Sequence, residues 1–350
     1  MAFAQDIINW YHQHKRELPW RSTTNPYVIW LSEIILQQTR VEQGLPYFNR
    51  FLAKYPTIKD FAQANEDELL RLWQGLGYYS RARNMHKAAR MIVEKHQGIF
   101  PTAYDTLIQL KGIGAYTAAA IASFSANEAK AVVDGNVFRV LARYFGIAEP
   151  INSPSGKKLF GQLADELLDQ QDPATYNQAI MEFGALQCKP KSPDCGRCPI
   201  HLGCYARKEN KVDFLPVKMK AKVSKARYFY YFIIRDRERI AMQKRGSKDI
   251  WANMYEFPML EMPEAVSLDA LTESPSFKEL FEKDIELRLV SKPKKHILSH
   301  QHIYATFIEV SMKSCNKKNT WNYVLLKDLD TLAKPKLIFT FLREYHICNN

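Results

Sequence analysis

Residues Leu110 to Ile121 read LKGIGAYTAAAI. Gly112 and Gly114 flank an isoleucine, and a run of small residues with helical grammar follows at once, so a tight turn opens directly onto a helix N-terminus. Glycine lets the backbone turn without a Cβ clash and come close to a ligand, while the unpaired N–H groups and the positive end of the helix dipole favour an anion. The segment reads as a phosphate seat. Tyr116 stands just inside it, either as an ordinary helix residue behind a phosphate clamp or in a slot where a reactive side chain decides the reaction.

Outward from this turn, the pattern from residue 1 to 207 is helical. Apolar residues recur three and four apart in DIINWYHQH, YVIWLSEIILQQT, DELLRLWQGL and NVFRVLARYF, with Pro and Gly between the segments. This part reads as all-α. Residues 208–225, KENKVDFLPVKMKAKVSK, are rich in lysine, carry Pro216 and keep no period, as a linker does. Residues 226–350 change to strand grammar in ARYFYYFIIRD, RIAMQKR, IYATFIEVSM and NYVLLKDL, with helical patterns at SFKELFEKD and KLIFTFLREYHI. The predicted whole is multi-domain, an all-α domain followed by an α+β domain.

A chain of 350 residues with 46% hydrophobic content buries substantial cores and fits two domains. No apolar run approaches the ~20 residues that span a bilayer, and the first twenty residues carry acidic and histidine side chains where a secretory signal is apolar. A cytoplasmic location is the expectation. The net charge of +12 points to a polyanionic partner without identifying it.

Cys188, Cys195, Cys198 and Cys204 form C-x6-C-x2-C-x5-C, while the rest of the chain holds only Cys315 and Cys348. Disulfides do not persist in a reducing compartment, so metal binding remains. Zinc sites usually present two short knuckles. Here one short pair is flanked by longer gaps, which suits thiolates wrapping an iron-sulfur cubane, with zinc as the alternative.

Two carboxylates stand out. Glu33 lies in YVIWLSEIILQQ with Ile29, Trp30 and Leu36 as helical neighbours, so it projects from an apolar face. Either it is buried, which raises its pKa as a general acid near neutral pH requires, or its head reaches water at the edge of the helix. Asp134 in AVVDGNVFRV precedes a helical pattern and reads as an N-cap.

Taken together, the cysteine spacing, the Gly-Ile-Gly turn, VDGNVFRVLAR, SEIILQQTRV and GLGYYSRARN resemble the helix-hairpin-helix DNA glycosylases of the endonuclease III superfamily, and most nearly its adenine DNA glycosylases of the MutY type. The resemblance covers nearly the whole chain. It implies a base-excision repair enzyme that flips adenine out of duplex DNA and removes it where it faces 8-oxoguanine or guanine. By the same resemblance Glu33 protonates the purine, Asp134 stabilises an oxocarbenium-like sugar, and Asn136 lies near sugar and water. A cap and an electrostatic stabiliser are compatible roles, because a helix N-terminus keeps a carboxylate charged. The four cysteines would hold a 4Fe-4S cluster, with Lys189, Lys191 and Arg197 meeting phosphates. Bifunctional relatives carry lysine where Tyr116 stands, and a phenol forms no Schiff base, so a monofunctional enzyme is implied. Gln38 and Tyr78 match wedge residues that fill the gap left by the flipped base, although GYYSRAR alone also reads as a helix start with two core aromatics. Trp20, Arg21, Leu36 and Gln178 match the purine pocket. Lys111 replaces the proline usual in this hairpin.

The last 125 residues resemble the MutT-like, or Nudix-like, recognition domain appended to such enzymes, and WANMYEFP resembles its W-x-x-x-x-E-F-P signature. The glutamate-rich helix that holds magnesium in Nudix hydrolases is not found, so binding without catalysis is implied. LSHQH matches a family Phe-Ser-His element, which makes Ser299 and His300 contacts to 8-oxoguanine and leaves Leu298 where phenylalanine is usual. Read alone, HILSHQHIYATF is a hairpin whose polar residues form the turn. The implied protein is a nucleoid-associated monomer on double-stranded DNA. Its rivals are an endonuclease III-like glycosylase and lyase for oxidised pyrimidines, opposed by Tyr116, and an inactive sensor of DNA structure, opposed by the two carboxylates.

Overall fold

The structure, a computed structural model, describes residues 2–220, 224–281, 285–312 and 321–345. Cys315 and Cys348 lie outside the described residues. The chain forms two compact units, each built from two stretches: Met1–Ala64 with Asn84–Lys220, and Asn65–Arg83 with Ala221–Asn350.

The helices run α1 (Ala2–His14), α2 (Pro26–Leu36), α3 (Val41–Lys54), α4 (Ile58–Gln63), α5 (Glu66–Leu72), α6 (Ser80–Lys95), α7 (Tyr104–Leu107), α8 (Ala115–Ala126), α9 (Gly135–Phe145), α10 (Pro154–Leu167), α11 (Pro173–Leu186) and α12 (Tyr205–Lys208). Three of them start at a cap followed by proline. Asn25, Ser153 and Asp172 accept from the backbone N–H of Tyr27, Gly156 and Thr175, and the following proline loses nothing at a position whose N–H has no helical partner. Asp134 caps α9, which ends at Gly146 with φ +71°.

Helix α8 is the hub of the first unit. Ala118, Ala119, Ala120, Ile121 and Ala122 are all buried, and their small side chains let α2 and α11 pack close on either side. On one side Trp30, Phe51 and Phe61 form an aromatic core. On the other, α1, α9, α10 and α11 bury Ile7, Leu141, Phe160 and Phe183, and Leu215 from the expected linker joins them. Gly184 sets how closely α11 meets α9, since a Cβ there would lie 2.6 Å from that of Asn136.

The second unit is a mixed sheet. Its elements are β1 (Lys225–Asp236), β2 (Arg239–Lys244), β3 (Tyr255–Glu256), β4 (Met259–Met262), α13 (Leu268–Glu273), α14 (Pro275–Leu280), β5 (Ile285–Val290), β6 (Lys294–Ile297), β7 (Gln301–Met312), β8 (Asn322–Leu325) and α15 (Lys336–Glu344). Strand β1 pairs parallel with β7, placing Tyr228 beside Tyr304 and Phe232 beside Ile308, and antiparallel with β2 and β4. Phe229 to Ile234 are buried without interruption because both faces of β1 are covered, which its continuous apolar run requires. NYVLLKDL is strand only as far as Leu325, after which a 3-10 turn takes over. Glu256 of WANMYEFP receives two bonds from Arg245 and one from Tyr231, so it braces the fold. The stretch Asn65–Arg83 is fastened to this unit by Asp67 to Lys244, Glu66 to Asn253 and Arg83 to the carbonyl of Ala252.

Candidate active site

A cavity of about 510 Å³ opens in the first unit where α2, α8, α9 and α11 converge. Nine of the residues singled out in the sequence line it: Trp20, Arg21, Glu33, Leu36, Gln38, Tyr116, Asp134, Asn136 and Gln178. They come from stretches more than a hundred residues apart.

Glu33 is buried, so the structure decides against a water-facing head. Burial pushes its carboxyl up to about 7, and Asp134 adds to this, while the bond from Tyr116 and the charge of Arg21 act in the opposite sense. The phenol of Tyr116 donates to Oε2 of Glu33 at 2.6 Å. Asp134 accepts from the backbone N–H of Asn136 and Val137 and from the Asn136 amide, each at 2.8 Å. Desolvation still raises its pKa, and those three donors together with Arg139 work against the rise. One site therefore holds a carboxyl ready to be protonated near neutral pH and another surrounded by groups that favour its ionised form.

This arrangement has a cost that is measurable. Below pH 4.5 Glu33 is protonated both folded and unfolded, and nothing is lost. As the pH rises towards 7 the unfolded chain releases the proton that the folded chain retains, so stability falls, by about 3 kcal/mol once both states are ionised. Glu33→Gln should therefore raise the melting temperature at pH 8 and leave it nearly unchanged at pH 4. Equal melting temperatures at pH 8 would show that Glu33 is not desolvated.

The opposite wall holds a residue that the sequence reading missed. Glu182 is 1% exposed and takes paired bonds from Arg16 and Arg21 at 2.7–3.0 Å. Burial alone would raise its pKa, but the hydrogen bonds and charges of these two arginines hold it at about 2, so it stays ionised. Gln178, one turn earlier on α11, accepts a bond from the Tyr11 hydroxyl at 2.7 Å, which leaves its NH2 group as a donor. Glu182 was legible in principle, since AIMEFGAL sets it among apolar residues as WLSEIIL sets Glu33.

The hairpin is formed as its glycines require. Gly112 has φ +80°, and a Cβ there would lie 2.6 Å from that of Asn84; Gly114 is the exposed N-cap of α8. Tyr78, Ser299 and His300 belong to the second unit, where the hydroxyls of Tyr78 and Ser299 are 3.0 Å apart. Ser299 and His300 lie exposed in the turn between β6 and β7, as the hairpin reading has it. The two expected wedge residues share an uncommon backbone, Gln38 with φ 56° and Tyr78 with φ 49°.

Cys188, Cys195, Cys198 and Cys204 line one further cavity with no disulfide among them. Burial, followed by repulsion from neighbouring sulfurs, pushes the Cys198 thiol up to about 12, and Cys195 is raised in the same way. Four cysteines free of disulfides around one cavity, with Cys195 and Cys198 held protonated by burial in the absence of a cation, are a donor set that fits a cationic metal centre. Among the described residues no group of three ligating side chains converges on a single ion. Arg143 braces the loop from below, bonding the carbonyls of Lys189, Pro190 and Leu215. Arg139 reaches both ways, to the carbonyl of Cys188 at 2.7 Å and to Oδ1 of Asn136 at 2.8 Å. Lys189, Lys191 and Arg197 are exposed on the same loop.

Residues 31–163 match the family of HhH-GPD superfamily base excision DNA repair proteins, and residues 230–344 match the NUDIX domain family. The helical unit is also similar to the solved structure of a thermostable thymine-DNA glycosylase, at 28% identity and a TM-score of 0.56 over 59% of this chain and 96% of that one. Helical fold and acidic cavity thus define a base-excision DNA glycosylase of the helix-hairpin-helix class. The chain is 38% identical to the adenine DNA glycosylase of Buchnera aphidicola from Schizaphis graminum over 73% of its own length and 74% of that protein. It is 34% identical to the same enzyme of Buchnera aphidicola from Baizongia pistaciae over 92% and 91%. The chain belongs to the adenine DNA glycosylases, DNA-binding repair enzymes that cleave the N-glycosidic bond of adenine.

Proposed function

We propose that this enzyme removes adenine paired with 8-oxoguanine or guanine and leaves the abasic strand intact. The observation that carries this reading is the pairing, in one cavity, of Glu33 with a pKa near 7 and Asp134 within three N–H donors. Protonated Glu33 donates to a ring nitrogen of the extruded adenine, so the base departs as a neutral leaving group when the bond to C1′ breaks. Asp134 stabilises the positive charge that develops on the sugar. Water held near Asn136 then adds to C1′, and the proton it loses restores Glu33.

The wall formed by Arg21, Gln178 and Glu182 accounts for the choice of base. Glu182 is an acceptor for the exocyclic amine of adenine. Guanine would bring a carbonyl oxygen to that place, an unpaired acceptor facing a buried carboxylate. Trp20 and Leu36 supply the apolar faces. Catalysis belongs to the first unit, and reading of 8-oxoguanine belongs to the second through Ser299 and His300, with Gln38 and Tyr78 filling the gap left by the base.

Tyr116 offers no amine and is already bonded to Glu33, which supports a hydrolytic, monofunctional enzyme. With a duplex containing A opposite 8-oxoguanine, strand scission is expected only after alkaline treatment. Scission without alkali, matched by borohydride trapping of the wild type, would indicate a lyase.

Cys188, Cys195, Cys198 and Cys204 would hold a 4Fe-4S cluster, which would tie the loop carrying the exposed Lys189, Lys191 and Arg197 into one fixed shape. Anaerobically purified protein is expected to be brown, with about four irons and four inorganic sulfides per chain. Stoichiometric zinc without iron would contradict this.

A further inference from the structure

A second cavity of about 480 Å³ in the first unit is also lined by Tyr116. It shares that tyrosine with the adenine seat, and its wall includes Val133, the residue next to Asp134. Two cations line it, Lys130 and Lys157. Lys157 is exposed on the first turn of α10, and the Lys130 ammonium stands 4.9 Å from the centre of the Tyr104 ring; among the described residues neither lysine forms an ion pair. Asp165 also lines the cavity, and its carboxylate accepts from the backbone N–H of Ala131 at 3.3 Å. The remaining wall combines the small residues Ala115, Ala119, Ala131 and Gly161 with the ring of Phe138, and a Cβ on Gly161 would meet nothing within 4 Å.

An extruded nucleotide stays part of its strand, so a sugar held between Asp134 and Tyr116 carries a phosphate on each side. The cavity that begins at Tyr116 and Val133 and reaches Ala115 at the start of α8 offers one of them room and two lysines that form no ion pair among the described residues. We propose that this second cavity seats a backbone phosphate flanking the extruded nucleotide, with Lys157 and Lys130 as its counter-charges. Phosphate contacts of this kind fix register rather than sequence, so the seat would hold the sugar in line with Asp134. The inference rests on the proposed adenine seat.

The test uses the full chain carrying Glu33→Gln, so that substrate is not consumed, and measures duplex affinity as a function of salt. Lys157→Ala is expected to weaken binding several-fold to DNA with A opposite 8-oxoguanine and to reduce the slope of log K against log salt by about 0.9. Lys130→Ala should act in the same direction, and Lys157→Arg should restore most of the loss. Lys158→Ala is the control, because Lys158 is exposed beside Lys157 but does not line the cavity. The effect should shrink on a fully paired duplex, where no nucleotide is extruded. Equal slopes and affinities for the Lys157 and Lys158 variants would overturn the seat. If the chain with Glu33 intact releases no adenine, the base reading fails independently of these slopes.

Discussion

Glu33→Gln is expected to lower single-turnover adenine release by at least about two orders of magnitude, the usual contribution of a positioned general acid, and to leave duplex affinity within a few-fold of the parent. The substitution preserves shape and can still accept the bond from Tyr116, but it removes the only proton on that side chain that can pass to the purine. Because burial holds the carboxyl at about 7, the parent rate should also fall as the pH rises above neutrality, approaching tenfold per unit once Glu33 is ionised. The glutamine variant has no such limb. Comparable rates in parent and variant would remove Glu33 from the mechanism.

Asp134→Asn should be nearly as damaging to turnover, and for a different reason. Asparagine is as good an N-cap as aspartate, so the bonds from the backbone N–H of Asn136 and Val137 to Oδ1 persist and α9 remains anchored, while the Asn136 amide loses its acceptor. What disappears is the negative charge proposed to face the sugar, and removing one such electrostatic stabiliser typically costs ~10²–10³ in rate. Asp134→Ala loses the cap as well and should lower stability by about a further 1 kcal/mol. Rates and melting curves separate the roles: the Asn variant is expected to melt like the parent while failing to turn over. An Asn variant with parental turnover would leave Asp134 as a cap alone.

Much of this was legible because the physical constraints are local. The Gly-Ile-Gly turn needs a positive φ at Gly112, the cysteines announce themselves by spacing, and an apolar stripe around Glu33 predicts burial. What escaped depends on partners far along the chain. Glu182 becomes an ionised buried group only because Arg16 and Arg21, some 160 residues earlier, close on it. Nothing local ties the phenol of Tyr116 to Glu33, which stands 83 residues earlier; the placement of α2 on α8 does. Likewise, DELLRLWQGLGYYSRAR has ordinary helical grammar, yet Asn65–Arg83 is fastened to the second unit by Lys244, Asn253 and Ala252. No periodicity reveals such an attachment, because it rests on single side chains meeting in three dimensions.

The packing of that stretch changes what a truncation means. A fragment ending near Lys220 would retain every residue around the adenine cavity, but Tyr78 would lose the Ser299 hydroxyl and its segment would lose those attachments. On the roles proposed for Ser299 and Tyr78, removal of the unit would disturb both together, so point substitutions at Ser299 separate them better.

Excision of adenine chosen by its partner base is the reaction expected of the cavity around Glu33 and Asp134. Its most direct measurement is the identity and single-turnover rate of the base released by the intact chain from duplexes carrying A opposite 8-oxoguanine, A opposite guanine, A opposite thymine and an oxidised pyrimidine. Free adenine from the first two, fastest opposite 8-oxoguanine, with no base released from the others, is the expected result. Release of the oxidised pyrimidine, or equal release of adenine opposite thymine, would contradict it.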